Sequence, residues 1–304
     1  MRLRHIEVFY AVYSCGTVSG AARKLNVSQP SISKVLHHAE DQLGYPLFQR
    51  IRGKMIPTEE AHALFGEVKT VYDKVLSLQN KARNLRDGKS GHIRLAAMPA
   101  VGLDILPRAI AGFRKRYPHV TFDIRTQHFE GLIGSLYEQE NDIGLAFSPP
   151  AVAGIREYDI GEGEFVCVYN DKDFPDPPAR LRLEDLKGKE VISIKDSGPL
   201  SDILFHEIMS RGLAFESIVT AQTYYIAKNL VGYGVGVAIV DHLTAQAAGP
   251  GTVHHTGFDP AIRYTVKGLY AENRPLSKVC ERFLDYFRAT YQSTLLVAPD
   301  AQAL

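Results

Sequence analysis

Apolar positions open the chain at helical spacing: Leu3, Ile6, Phe9 and Tyr13 share one face, and Gly16 stands where such a helix would end. Ser19 reads as the N-cap of a second helix from Gly20 to Leu25, with Ala21 and Ala22 small enough for close packing, before Asn26 and Val27 turn the chain. Ser28 caps a third helix. Pro30 occupies its first turn, where a missing N–H costs little, and Ile32, Val35, Leu36 and Ala39 give it an apolar face. Two short helices joined by a tight turn predict a helix-turn-helix. Beyond Gly44, residues 46–56 read as two short extended runs whose tip gathers Arg50, Arg52 and Lys54, a wing beside the third helix. From Thr58 to Arg86 no proline intervenes, and Leu64, Val68, Val71, Val75, Leu78, Ala82 and Leu85 alternate spacings of four and three. That period predicts a helix roughly 43 Å long at about 1.5 Å per residue. Its heptad seam would bury itself against a second copy of the chain or, alternatively, against its own domain. Asp87 to Gly91 then read as a polar hinge.

After the hinge, strand-like and helical runs alternate: Ile93 to Ala97, a helix near Leu106 to Tyr117, Val120 to Arg125, a helix near Gly131 to Glu138, and Ile143 to Phe147. A second round follows, with strands near Phe165 to Tyr169, Val191 to Ile194, Ser217 to Val219 and Val235 to Val240, and helices from about Pro199 and Thr223. A last strand near Tyr264 to Tyr270 and a helix over Leu276 to Tyr291 return the chain to the first lobe. Such alternation predicts a mostly parallel sheet covered by helices. The expected fold class is therefore α/β. It comprises an N-terminal winged helix-turn-helix (1–57), a long linker helix with its hinge (58–90), and a two-lobed α/β domain (91–304). Lobe I is expected near 91–163 and 267–304, and lobe II near 164–266.

The whole-chain charge of +1 hides an asymmetry. Residues 1–90 carry 14 Lys and Arg against 8 Asp and Glu, whereas the remainder carries 21 against 26. A basic head on an acidic body confines the footprint for a polyanion to the N-terminal part, a chance charge run being the alternative. An apolar fraction of 45% with 23% charged residues fits a globular chain of two or three units and argues against long disorder. The start, MRLRHIEVF, lacks the apolar core of a secretory signal, and the longest apolar stretch, Leu230 to Val240, is broken by three glycines. A cytoplasmic protein with no membrane association is expected. Cys15, Cys167 and Cys280 are too few and too scattered for a disulfide framework or a zinc site; buried thiols are the default, and a redox-active one would need a lowered pKa and solvent access.

In a helix-turn-helix the second helix enters the major groove N-terminus first, and the candidates here are Ser28, Gln29, Pro30, Ser31, Ser33, Lys34 and His37. Gln pairs bidentately with adenine, Ser bonds several bases, and Lys reaches guanine or phosphate. Arg50, Arg52 and Lys54 suit phosphates, which give affinity and salt dependence rather than sequence discrimination. Solvated positions on a surface helix are the alternative. The run AARKLNVSQPSISKVLHHAEDQLGYPLFQR resembles the DNA-binding motif of the LysR-type transcriptional regulators, through its A-A-x-x-L helix, its S-Q-P-S-I-S start and its L-G-x-x-L-F-x-R wing. Lys34 stands where relatives often carry Arg, and Ala61 where they often carry Gly. The runs L-P-x-x-I-x-x-F-x-x-x-Y-P-x-V and D-I-G-L-A extend the resemblance over nearly the whole chain. LRHIEVF and GVGVAIVDHLTA are most similar to the lysine- and opine-responsive members, except that His242 replaces a common Pro.

The resemblance implies a small-molecule cleft between two lobes like those of periplasmic solute-binding proteins. Independently, ligands in open α/β sheets settle at the carboxyl ends of strands, and helix N-termini offer N–H groups to anions. The candidate effector-binding positions are Met98, Pro99, Ala100, Val101, Gln127, His128, Phe147, Ser148, Ser197, Gly198, Ser201, Thr223, Val240 and Asp241. The expected effector is an amino acid or a derivative with a free carboxylate, held by Ser197, Gly198 and the helix start at 199–201. Asp241 or His128 would meet its polar or ammonium end, and Met98 and Phe147 would cover its stem; Asp241 alternatively caps the helix that follows. The partners implied are double-stranded promoter DNA, a small-molecule effector, further copies of the chain as dimer or tetramer, and RNA polymerase as a candidate.

No catalytic group, cofactor or metal is expected. KDSGP at 195–199 is similar to a serine-protease nucleophile segment, yet a lone Ser without base and orienting partner is better read as part of a helix cap. The glycine-rich GYGVGVA follows a helix and precedes a strand, the reverse of a dinucleotide fingerprint, and the pairs His37-His38 and His254-His255 lack further metal ligands. The competing readings are a solute-binding protein whose N-terminal helices serve only association, and a hydrolase. Retardation of promoter DNA with steep salt dependence separates the regulator from both.

Overall fold

The computed structural model describes residues 1–51, 53–84 and 91–296, and the chain divides into two units, Met1–Asn80 and Lys81–Leu304. Arg52, Leu85 and the hinge positions Asp87 to Ser90 lie outside the described residues. In the first unit α1 (Leu3–Cys15), α2 (Val18–Lys24) and α3 (Gln29–Leu43) precede a hairpin of β1 (Phe48–Ile51) and β2 (Lys54–Pro57), and α4 (Glu59–Asn84) follows. Val8, Phe9, Val12, Ala21, Ala22, Ile32 and Leu36 form its core. One cap differs from expectation: Thr17, not Ser19, caps α2, its Oγ1 accepting the Gly20 N–H at 3.1 Å. The helix begins at Val18, and the small Ser19 and Gly20 of its first turn carry no apolar signal by which spacing could place the start. Tyr10 stacks on Tyr72 at 4.3 Å and Tyr13 on Phe65 at 3.8 Å, which fastens α1 to the first half of α4. Along the heptad seam Val68 is buried in this unit, whereas Val71 and Leu78 are 40% and 68% exposed.

The second unit runs β3 (Gly91–Ala97), α5 (Pro99–Leu103), α6 (Ile105–Arg116), β4 (Val120–Thr126), α7 (Phe129–Tyr137), β5 (Ile143–Phe147), β6 (Ile155–Tyr169), a 3-10 turn (Leu183–Leu186), β7 (Val191–Ile194), α8 (Pro199–Ser210), β8 (Ser217–Ala221), α9 (Tyr224–Gly232), β9 (Val237–Asp241), α10 (His242–Gln246), β10 (His254–Gly257), β11 (Arg263–Ala271) and α11 (Lys278–Leu296). Gly91, read above as hinge, is the first residue of β3, paired with Val120. The sheet order is β4-β3-β5-β11-β6-β9-β7-β8, with β10 also on β6. The strands β3, β4 and β5 are parallel, as are β7, β8 and β9, while β6 and β11 run antiparallel to their neighbours. Residues 155–164 of β6 pair with β11, and residues 165–169 pair with β9 and β10, so one strand serves two lobes. On the return, α11 packs against α6 and β6, with Phe113 edge-on to Phe283 at 5.3 Å.

Lobe I contains a nearly buried ion triad. Asp142 accepts the Arg94 backbone N–H and Arg94 Nη2, each at 2.9 Å, and Arg274 Nη2 at 2.7 Å, which ties β3 to the loop between β11 and α11. Among the described residues no helix is long and apolar enough to cross a membrane, and no group of His, Cys, Asp and Glu could hold a metal ion. Cys167 and Cys280 are buried, and burial pushes both thiols up, Cys280 to about 12, the opposite of an activated thiolate.

Candidate functional site

In the first unit α3 turns Ile32, Leu36 and Ala39 inward and leaves Ser28, Gln29, Pro30, Ser33, Lys34 and His37 exposed, with Ser31 half-buried. Gln29, Ser33 and His37 are spaced by four and therefore form one stripe. His37 Nε2 lies 3.8 Å from Asp41, a partner on its own helix. Ser28 is the backbone N-cap of α3, but its hydroxyl makes no capping bond. Beside it a depression is lined by Ser19, Arg23, Asn26, Ser28 and Gln29. Arg23 was not among the expected contacts; it stands in the last turn of α2, next to Lys24, whose ammonium lies 4.9 Å from the Tyr10 ring centre. Its position at the turn between the two helices was the available signal. On the wing, Arg50 and Lys54 are exposed, Arg50 faces Met55 across the hairpin, and Gly53 makes the turn with a φ of 80°.

The effector candidates of the second unit fall at strand ends, and five of them, Met98, His128, Gly198, Thr223 and Asp241, are the N-caps of α5, α7, α8, α9 and α10. At the first four no side chain caps the helix, so their terminal N–H groups remain available. Asp241 differs. Its carboxylate accepts the Thr244 N–H at 2.9 Å and the Thr244 hydroxyl at 2.6 Å, which gives it the capping role; burial pushes its pKa up and the Thr244 bonds oppose that rise.

A small void opens where the two lobes meet, lined by Met98, Pro99 and Ala100 of the first lobe's α5 region, Phe147 at the end of β5, Ser197 just before α8 and Leu200 within it, the α9 N-cap Thr223, and Tyr224 and Tyr225 of α9. Its free volume is about 10 Å³, about what a single water needs. The lobes are in contact around it: a Cβ at Gly198 would lie 3.3 Å from Phe129 Cβ and 3.8 Å from Met98 Cε. Glycine is required there on a second count, since its φ of 75° with ψ of −156° is open to little else.

Six of the expected positions thus line the void, and Gly198 abuts it. Val101 and Val240 are core residues. Ser148 is committed to β11, its Oγ accepting the Thr265 N–H at 2.9 Å, and Ser201 Oγ donates to the Gly198 carbonyl at 2.7 Å. Gln127 and His128 stand at the β4 end and carry buried polar atoms, Oε1 and Nδ1, without a partner among the described residues; Thr223 Oγ1 and Tyr224 OH share that condition. Tyr224, Tyr225 and Leu200 were not foreseen. Burial, then the Asp241 and Asp202 charges, pushes the Tyr224 phenol well above its ordinary range, so it stays a neutral hydroxyl.

Residues 3–62 match the family model described as "Bacterial regulatory helix-turn-helix protein, lysR family", and residues 86–292 match "LysR substrate binding domain". The HTH-type transcriptional regulator DgcR of Pseudoalteromonas sp is 43% identical over 94% of this chain and 98% of its own. The transcriptional activator protein LysR of Escherichia coli (strain K12) is 28% identical over 95% and 93%. The crystal structure of CbnR, a LysR family transcriptional regulator, superposes with a TM-score of 0.69 at 18% identity, over 95% of this chain and 99% of that one, and shares the fold. The chain therefore belongs to the LysR family of bacterial helix-turn-helix regulators: it is a DNA-binding transcriptional regulator whose activity a small molecule modulates, and not an enzyme.

Proposed function

We propose that Gln29, Ser33 and His37 of the stripe, with Lys34 beside them, read promoter bases, that Arg50, Arg52 and Lys54 hold phosphates, and that the exposed seam of α4 joins two copies so that two recognition helices meet one operator. The effector domain then takes an amino acid or amino-acid derivative between its lobes. One observation carries the effector reading: two uncapped helix N-termini, of α8 and α9, and the unbonded Thr223 and Tyr224 hydroxyls surround one void together with Met98 and Phe147. Buried polar groups left without partners cost about 1–3 kcal/mol each. A carboxylate accepting from Ser197, the α8 N-terminus and the Thr223 and Tyr224 hydroxyls satisfies the donors, and the aromatic and thioether walls suit an apolar stem. Because the void admits about one water, the ligand must part the lobes, and it shifts the regulator only as far as it favours the parted or re-closed state.

Thermal-shift screening of amino acids and opines against the full chain is expected to yield a stabilising compound. Titration of that compound into Ser197→Ala and Thr223→Val is expected to show about tenfold weaker binding for each, the equivalent of about 1.4 kcal/mol for one hydrogen bond. A stabilising compound outside this class, or unchanged affinity in both variants, contradicts the assignment.

On the DNA side, Gln29→Ala and Ser33→Ala are expected to weaken binding to the cognate site by about 1–3 kcal/mol while leaving random DNA unaffected. Arg50→Ala is expected to weaken both alike and to lower the slope of log affinity against log salt by about 1. Gel-shift titrations over a range of salt concentrations distinguish the two behaviours, and a uniform loss in Gln29→Ala removes that residue from base readout.

A further inference from the structure

A larger pocket lies apart from the void between the lobes and shares no lining residue with it. It is bounded by α10, by residues 162–166 of β6, by β10, and by the segment at Ala179 and Arg180. Its volume is about 420 Å³, within the roughly 300–1,000 Å³ of small-molecule sites. Among its lining residues is His242, the first residue of α10, which is 6% exposed and whose buried Nε2 has no partner among the described residues.

The protonation of that ring can be worked out from its neighbours. Burial pulls His242 down to about 4, so the ring is neutral at pH 7. Nδ1 lies 2.7 Å from the Tyr264 hydroxyl. Tyr264 is buried, and its hydroxyl proton has Nδ1 as its recorded acceptor. With Tyr264 as the donor to Nδ1, the arrangement that gives the phenol proton an acceptor, the imidazole hydrogen falls on Nε2, a buried donor of a pocket-lining residue that has no partner among the described residues.

Around this donor the lining is balanced in charge. Arg180 is bonded to Glu164, and its Nε is held by the Phe258 carbonyl at 2.8 Å; Arg263 stands 3.9 Å from Glu162. A ligand of a single sign would leave one member of this set opposed. A ligand carrying both signs adds no net charge to a neutral wall.

We propose that this pocket is a second small-molecule site, and that it takes a small zwitterion whose carboxylate accepts from His242 Nε2 and whose cationic end meets the Glu162 and Glu164 carboxylates. The occupant has a route to the rest of the domain. His242 adjoins the Asp241 cap, and α10 packs on α5, whose first residues line the void between the lobes. The site does not rest on the effector reading of that void.

The test is calorimetric titration of the full chain with glycine betaine and each of the twenty common amino acids, with acetate and methylammonium as single-sign controls. At least one zwitterion is expected to bind the wild type and to bind at least tenfold more weakly to His242→Phe, which keeps ring bulk without the nitrogens. The same loss is expected in Glu162→Gln and no loss in Ser197→Ala. Glu162 is two-thirds exposed, so its variant decides the matter even where His242→Phe folds poorly. Binding that Ser197→Ala alone weakens supports the cleft between the lobes and overturns the second site. So does acetate binding as tightly as the zwitterion, or a panel in which no binder responds to His242→Phe or Glu162→Gln.

Discussion

Replacing Asp142 with alanine is expected to cost the effector domain about 3–5 kcal/mol, the range for removing one partner of a buried ion pair. The variant leaves the Arg94 and Arg274 guanidinium groups facing each other with side chains 10% and 13% exposed, and it also strips the Arg94 backbone N–H of its acceptor. Burial already pulls the Arg274 pKa down, and Asp142 is the first of the groups that hold its charge. Urea unfolding of the full chain, followed by a probe in the second unit, reads the loss as a lowered midpoint. Glu272→Ala is the comparison: it breaks the Arg156–Glu272 pair, whose side chains are 60% and 55% exposed, and solvent screens such an exposed pair so that its loss moves the midpoint little. Equal midpoints for the two variants would show that the triad does not hold lobe I.

Val71→Asp is expected to act in the first unit, on assembly and through it on DNA. Val71 and Leu78 lie one heptad apart and exposed on α4, on a stretch that the Tyr10–Tyr72 and Tyr13–Phe65 stacks leave uncovered. A carboxylate in a seam that joins two helices either goes unpaired into an apolar contact or keeps the helices apart. Sedimentation is expected to show a species of single-chain mass, and affinity for the cognate site is expected to fall by about 10²–10⁴, the gain that linking two binding modules provides. Wild-type mass together with wild-type affinity would remove α4 as the interface.

The elements legible in the sequence were those whose burial is one-sided. On α3 the spacing of Ile32, Leu36 and Ala39 reports a single buried face, and the short runs at 93–97, 143–147 and 191–194 report strands in the sheet interior; on α1 the expected face of Leu3, Ile6, Phe9 and Tyr13 is buried fully only at Phe9, which Val8 and Val12 join, while Leu3 is 48% exposed. The outer half of β6 gave no such signal. Residues 155–163 read IREYDIGEG: the stretch is laddered to β11 by its backbone, and its side chains pair as charges, Lys267 with Glu157 and Asp159, Arg263 with Glu162, and Arg156 with Glu272 just beyond β11. Cross-strand ion pairs stabilise a ladder without apolar alternation, and periodicity cannot see them. The candidate effector positions at the helix starts were reachable because Pro, Ser, Thr and Gly mark such starts. Tyr224 was not, since nothing in the string TAQTYY distinguishes a phenol turned into a void from one on a core face. His242 was noticed in the sequence only as a departure from Pro, and its unbonded nitrogen became visible when Tyr264 was placed against the other side of the ring.

The way β6 divides its pairing has a mechanical consequence. Among the described residues the chain leaves lobe I at Glu164–Phe165 and comes back at Ile262–Arg263, and the Phe165 N–H holds the Ile262 carbonyl at 2.9 Å. Two adjacent backbone crossings behave as the pins of a door, soft to rotation about the line that joins them and stiff to twist and slide. Compounds that wedge this cleft then differ in how far they swing it, whatever groups they carry. Inducer and antagonist become two angles on one dial, and a homologous series of increasing stem length is expected to grade transcription step by step.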